Sequence, residues 1–482
     1  MTDSTQSRGP GSIIRRRPAK PAAATTEKHP LSKEKTDAGI ESRRTALGIL
    51  TRVNQHSAFA DVLLGARLPD LDGADRALVT RLVLGAIAWR GRLDYEIERL
   101  ASRAIDEIDP AVLEILRLGL FQLRFLDRVP AYAAVDTSVG LARETKAARN
   151  ASGFVNAILR KATRGAVELP DRSANEIRWL AIRWSHPAWL VEKFVNRFGV
   201  VDAESIMAAN NEAAPTAIRL NLARGARDEI AARIRNEGMD IALGAMAETA
   251  VVTGALRFDS ESFRAGLWHP QSEASQMVSR LLAPSAGAEV ADVAAAPGGK
   301  ATHLAELVGP RGRVIALDAN LAGLRNARAI AKRLGHDNIR FARADITKEI
   351  PLRPASFDFI LLDAPCTGTG TMREHPEIRW RLKPDDFPRM ARIQSAMLAK
   401  AAQVVRSGGA IVYSVCSLAP EEGIEVVREF VATHADFAID ANPPVCDFPA
   451  GVVREGGTFA TRPDRGGLDG FFAARIVRIR KP

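Results

Sequence analysis

The segment "AEVADVAAAPGGKATH", Ala288 to His303, decides the fold. A small apolar run carries the chain through Asp292, and Pro297-Gly298-Gly299 breaks it. A helix pattern follows from Lys300. Strand, glycine turn and helix in that order open a βαβ unit. Glycines let a ligand approach the backbone, and the first turn of the helix offers unpaired N–H groups. No G-x-G-x-x-G is present, so a dinucleotide is not the natural ligand. A glycine turn is weak evidence alone, since every βα connection needs a turn.

Outward from this segment the alternation is regular. "GRVIALDA", "NIRFARAD", "FDFILLDAP" and "GAIVYSVCS" are β-like runs. Helical patterns such as "LAGLRNARAIAKRLG" and "FPRMARIQSAMLAKAAQVV" separate several of them. Residues 283–482 therefore read as a mostly parallel sheet with helices on both faces, closed by "DGFFAARIVRI" as an antiparallel strand. Upstream, residues 41–165 show three- and four-residue apolar spacing throughout, as in "AVLEILRLGLFQLRFLD", and predict an all-helical domain. Residues 184–282 mix strands such as "TAIRLNL" with helices such as "RDEIAARIRNEG", a small α/β unit. Residues 1–40 are rich in Pro, Ala, Ser, Thr, Lys and Arg and read as a disordered basic tail, with Arg15, Arg16 and Arg17 solvated.

Composition narrows the class. The chain has 482 residues and a net charge of +10, which favours a polyanionic partner, most commonly nucleic acid. Three cysteines make no disulfide framework and suit a reducing cytoplasm. No apolar signal core and no membrane-length apolar run is present.

The chemistry lies where strands run out. Asp318 ends the second strand, one βα unit after Asp292, where a ribose diol is held. Asp345 ends the third and is placed to meet an adenine edge; either acid alone would read as a helix cap. "DAPCTGTG" and "YSVCS" put Cys366 and Cys416 at the ends of two strands beside one crevice. A thiolate there can add to an electron-poor carbon, and Asp363 beside it can hold or protonate a ring. Cys446 has no such setting. No C-x-x-C accompanies the thiols, and His303 and His375 stand isolated, so no metal is expected.

"DVAAAPGGKATH", "DAPCTGTGTMREHPEIRW", "YSVCSLAPEEG" and "DGFFAAR" resemble the Sun (Fmu) family of S-adenosylmethionine-dependent RNA cytosine-C5 methyltransferases. "YAAVDTSVGLAR" and "GFVNAILRK" resemble a NusB-like RNA-binding domain. This pairing, over residues 42–479, is similar to the bacterial 16S rRNA cytosine-C5 methyltransferases. The resemblance implies a Rossmann-like catalytic domain. It implies that Ala295, Ala296, Pro297, Gly298, Gly299 and Lys300 wrap the methionine part of S-adenosylmethionine. Asp318 would hold the ribose, Asp345 would lie near the adenine, and Asp363 would lie between cofactor and base. Cys416 would be the nucleophile, and Cys366 would help release the product.

Four positions depart from the family pattern: Ala294 replaces a common cysteine, Ala301 a threonine, Thr367 a serine and Val415 a threonine. None removes a catalytic group, but Val415 takes a hydroxyl from beside Cys416. The expected partner is small-subunit rRNA, bound by a monomer. Rival expectations are the same chemistry on tRNA, or a non-catalytic RNA-binding assembly factor. Methylation of DNA would make the Pro-Cys thiol, Cys366, the attacker and leave Cys416 without a task. "REHPEIRWRLKP", Arg373 to Pro384, reads equally as an RNA contact or as a surface loop with a packed tryptophan.

Overall fold

The computed structural model describes residues 31–444 and 448–479. The basic residues 1–30 and Cys446 lie outside the described residues.

The first helix, Leu31–His56, begins about ten residues before the boundary that hydrophobic spacing predicts. Its opening, "LSKEKTDAG", contains Lys and Glu, which favour helix without any apolar period. Apolar periodicity cannot detect a stretch whose sequence has no apolar period, so the extension is silent to it. Further helices follow to Ser152–Ala162 and share one apolar core. The helix Pro110–Phe125 runs through its centre, with every residue from Val112 to Gln122 buried. Its Arg117 is buried between Asp94 and Glu114 at 2.6 Å each, so the core holds a paired charge.

Two helices, Glu176–Arg183 and Ala188–Ala209, lead into a four-stranded antiparallel sheet. Its strands are β1 (Thr216–Leu220), β2 (Asp240–Leu243), β3 (Thr249–Thr253) and β4 (Trp268–Pro270), in the order β2-β3-β1-β4. Alternate residues of β1 face the small core and the next domain. Ile218 and Leu220 pack inside, whereas Arg219 is fully buried and crosses to the helix Gly299–Val308. There Arg219 donates to both Glu306 oxygens, at 3.1 and 2.9 Å, and to Thr302 Oγ1.

The large sheet comprises, among the described residues, β5 (Glu289–Asp292), β6 (Arg313–Asp318), β7 (Ile339–Arg343), β8 (Phe357–Asp363), β9 (Val405–Val415), β10 (Phe437–Ile439), β11 (Val453–Glu455), β12 (Thr458–Ala460) and β13 (Phe472–Arg478). The order is β11-β12-β13-β9-β8-β5-β6-β7, with β10 on β13. The pairs β5·β6, β5·β8, β6·β7 and β8·β9 are parallel, and β13 runs antiparallel to β9. From β5 the chain winds one way to β6 and β7, then returns to the other side for β8 and β9. Ligands bind at such a reversal, beyond the carboxyl ends of the strands. The ends of β5, β6, β8 and β9 are where Asp292, Asp318, Asp363 and Cys416 lie.

"REHPEIRWRLKP" is more than a surface loop: Glu374, His375, Ile378, Arg381 and Leu382 line the crevice, while Arg379 is buried and Trp380 half-buried behind it. The segment is the seam between the helical domain and the large sheet. Arg379 is fully buried and donates to Asn211 Oδ1 at 2.7 Å and to the carbonyls of Asn210 at 2.9 Å and Met372 at 3.3 Å. It also reaches the carbonyls of Ala88 and Ser185. Trp380 Nε1 donates to Ile87 O at 2.7 Å, and its ring packs on the helical core. Sequence spacing could not show this, because the acceptors lie as far as 293 residues away.

Candidate active site

The turn after β5 is shaped by sterics. Gly298 has φ 112°, and a Cβ there would lie 2.5 Å from Ala327 Cβ, so only glycine fits. Asp318 Oδ2 accepts from Ala296 N at 2.9 Å, which ties the turn to the end of β6. The helix Gly299–Val308 starts directly behind it and carries Lys300 into the crevice.

Lys300 Nζ meets Asp363 Oδ2 at 2.7 Å, and Asp363 Oδ1 accepts from Ser414 Oγ at 2.7 Å. Burial disfavours the Lys300 cation. The charge of Asp363, with Cys416 and Asp292 adding to it, more than offsets that and holds the ammonium above the usual lysine range. Asp292 behaves oppositely. It is almost wholly buried, and burial, with repulsion from Asp363, pushes its carboxyl up to about 7 against the pull of Lys300. Its Oδ2 has no hydrogen-bond partner among the described residues.

Cys366 Sγ and Cys416 Sγ stand 3.0 Å apart, and both are partly exposed. The hydrogen bond to Cys416, then burial, then the charges of Cys416 and Glu422 push the Cys366 thiol well up. Parallel register explains the meeting. Asp363 pairs with Ser414 across β8 and β9, so the two strands end level and their following turns face each other.

A cavity of about 1060 Å³ opens here. Ala295, Ala296, Pro297, Gly299, Lys300, Asp363, Cys366 and Cys416 line it. Gly298, Asp318 and Asp345 are not in the lining: Gly298 shapes the turn, and Asp318 braces it from behind. The Asp345 carboxylate accepts from the backbone N–H and hydroxyl of Thr347, which holds it below the usual carboxylate range. Phe59, Asp61 and Val62 of the helical domain also line the cavity, and Phe59 and Val62 are 57% and 64% exposed.

Neither histidine is isolated in space. His303 Nε2 lies 3.2 Å from Glu248 Oε1, in the turn before β3. His375 shares a cluster with Asp61 and Glu377, their ligand-type atoms within 4.8 Å of one another. Sequence reasoning placed Lys300 only in the cofactor turn, without its pairing to Asp363, and passed over Asp292 and Glu422 as site residues. An acid at the end of a first strand was the available signal for Asp292. Nothing local marks the other two.

A family model for the 16S rRNA methyltransferase RsmB/F matches residues 279–477. A NusB family model matches residues 40–164, and an RsmF/B-like ferredoxin-like domain matches residues 186–254. Over 450 residues the chain is 33% identical to a probable ribosomal RNA small subunit methyltransferase B of Synechocystis sp., covering 91% of this chain and all of that one. This chain belongs to the RsmB/F family. A probable ribosomal RNA small subunit methyltransferase B of Bacillus subtilis is 32% identical over 446 residues, 91% of this chain and 98% of that one. The crystal structure of PH0851 matches 91% of this chain and 98% of its own, with a TM-score of 0.77 and 25% identity.

RsmB/F membership makes the chain an S-adenosylmethionine-dependent methyltransferase, and the crevice suits that cofactor. The cofactor carries a sulfonium and an ammonium. Asp292, Asp318 and Asp363 end three adjacent strands around the glycine turn, and Asp292 offers an unpaired buried oxygen. Acids at these strand ends match the sulfonium and the ammonium, and the N–H groups that open the helix Gly299–Val308 suit the cofactor's carboxylate.

Proposed function

We propose that the chain makes 5-methylcytidine in small-subunit rRNA through a covalent Cys416 adduct at carbon 6 of the ring. The juxtaposed thiols at 3.0 Å carry this reading. A methyltransferase that attacks an already nucleophilic atom needs no thiol, whereas two at one crevice suit a reaction with an addition and a release.

Carbon 5 of cytosine is a poor nucleophile in the resting ring. Addition of the Cys416 thiolate at carbon 6 makes the ring enamine-like. S-adenosylmethionine, when bound, supplies an electrophilic methyl to carbon 5. Ala295 through Lys300 would hold its methionine part. Asp318 would hold its ribose, with Asp345 toward the adenine. Asp363, fixed by Lys300 and Ser414, holds the N3 and amino edge of the base as charge moves onto it. Carbon 5 then gives up its proton to solvent, and its bonding electron pair reforms the ring double bond as the carbon 6–sulfur bond breaks and Cys416 departs. Cys366 donates its S–H to the leaving sulfur.

The target base must leave its stack, so the substrate is a loop or a flipped nucleotide. Phe59 at the cavity mouth, with Arg381 5.1 Å from its ring, suits stacking of a neighbouring base. That gives the NusB-like region a share in substrate binding. A cytoplasmic site of action follows from an rRNA substrate. No described helix is long and apolar enough to cross a membrane.

The deciding experiment incubates Cys366→Ala and Cys416→Ala with unmodified small-subunit rRNA and S-adenosylmethionine, then runs a denaturing gel. A protein–RNA adduct that persists in Cys366→Ala and is absent in Cys416→Ala supports the assignment. An adduct persisting only in Cys416→Ala inverts the roles. If the wild type fails to methylate this RNA, the substrate assignment falls.

A further inference from the structure

Both cysteine turns converge on one side chain that the proposed chemistry does not use. Glu422 is fully buried, in the turn before the helix Ile424–Thr433. Its Oε1 accepts from Thr367 N at 2.8 Å and from Gln394 Nε2 at 3.0 Å. Its Oε2 accepts from Ser417 Oγ at 2.5 Å and from the hydroxyl of Thr367. Thr367 follows Cys366, and Ser417 follows Cys416. One carboxylate thus grips the residue after each thiol, across a sequence gap of 50. Gln394 donates to Pro365 O as well, so the residue before Cys366 joins the same network.

The hydroxyls are oriented as donors. Ser417 Oγ accepts from Ala419 N, which leaves its O–H to donate to Glu422 Oε2 beside that of Thr367. Four donors converging on one carboxyl are what an ionised, acceptor-only group requires. Among the described residues no cation contacts Glu422; its partners are neutral. The opposite charge sits on the other side of the thiol pair. Lys300, paired with Asp363 and near Asp292, feels the charge of Cys416. Cys366 faces Cys416 and Glu422. Tyr413, also close to Cys366, donates its hydroxyl to Glu422 O, and burial keeps its phenol protonated.

We propose that Glu422 is a positioning residue that locks the two cysteine turns together and keeps their shared proton on Cys366, so that Cys416 is the thiolate. This rests on the two-thiol reading of the site. It adds the reason why one of two adjacent thiols attacks. An anion beside Cys366 and a cation beside Cys416 polarise the pair, and the full burial of Glu422 leaves its charge poorly screened. The same proton is then in place for the departing Cys416 sulfur.

The test needs neither RNA nor cofactor. The full chain, kept reduced with a phosphine, is alkylated with iodoacetamide as a function of pH. Peptide mass spectrometry reads Cys366 and Cys416 separately. In the wild type Cys416 titrates below Cys366. In Glu422→Gln, whose amide the two hydroxyls can turn to accept, the Cys366 midpoint falls toward that of Cys416 by about one unit. That is about tenfold more Cys366 thiolate at a fixed pH below the midpoint. Glu422→Asp, which keeps the charge, restores the order. Equal changes in rate at both cysteines with unmoved midpoints would show a merely structural role and overturn the proposal.

Should Glu422→Gln not fold, single-thiol proteins decide. Cys366 in Cys416→Ser should titrate above Cys416 in Cys366→Ser, and equal midpoints overturn the proposal. Ordered midpoints with no methyl transfer would instead count against the proposed reaction and leave Glu422's role standing.

Discussion

Two buried cations in this molecule are treated in opposite ways. Arg379, in the seam, has no carboxylate partner among the described residues; it is surrounded by carbonyls and Asn211, and burial alone lowers it to about 9. Lys300, in the crevice, sits among acids and is held above its ordinary range, while Asp292 beside it is pushed up to about 7. The seam uses a cation as a multi-point hydrogen-bond donor that knits three segments. At the ends of β5 and β8, Asp292 and Asp363 outnumber the single Lys300 that faces them. A structural site distributes its donors among neutral acceptors, whereas a site built for a cationic ligand leaves negative charge waiting.

Substitutions can break or sharpen that contrast. The largest effect is expected at the chemistry itself. Cys416→Ala should lower methyl transfer by at least about a thousandfold without altering the fold, read as tritium incorporated from labelled S-adenosylmethionine. Lys300→Met should cost about a hundredfold in kcat, because Asp363 loses the partner that orients it. A loss in KM for RNA alone would mean that Lys300 does not act near the reacting atoms.

Arg379→Ala should act on stability instead. It strands several buried carbonyls and should cost about 3 kcal/mol in thermal or denaturant unfolding. Unchanged stability would show that the seam is not held by this residue.

Asp292→Asn gives a signed pH test on the cofactor-free protein. The folded carboxyl titrates near 7 against an ordinary value of 3.8. The folded state therefore binds this proton more tightly, and wild-type stability falls as pH rises between those values. The variant lacks that loss. It should be more stable than wild type at pH 8, by on the order of 1–3 kcal/mol, and the advantage should vanish near pH 4. An advantage independent of pH would assign the effect to packing.

The smallest effect is expected at Phe59→Ala, which should weaken RNA binding by about 1 kcal/mol, roughly fivefold, with kcat for bound RNA unchanged. Filter binding at fixed salt measures it.

Much of this was legible in the chain. The strand–glycine–helix segment at Ala288–His303 announced the parallel sheet, because side-chain period and turn chemistry are local properties. Asp363 and the two cysteines were legible as strand-end groups, but that they line one crevice while Asp318 braces the turn and Asp345 turns to Thr347 was not. Where the first helix begins was not, since "LSKEKTDAG" shows no apolar period. Only the tertiary structure decided which groups meet. Parallel register brought Cys366 to Cys416, and the seam brought Arg379 and Trp380 to carbonyls of the helical domain. Folding also gathered His375 with Asp61, and Glu422 with both cysteine turns. Sequence specifies what each residue can donate, accept or bury. Which partner answers depends on contacts between distant segments, and so do the charge state of Asp292 and the polarity of the thiol pair.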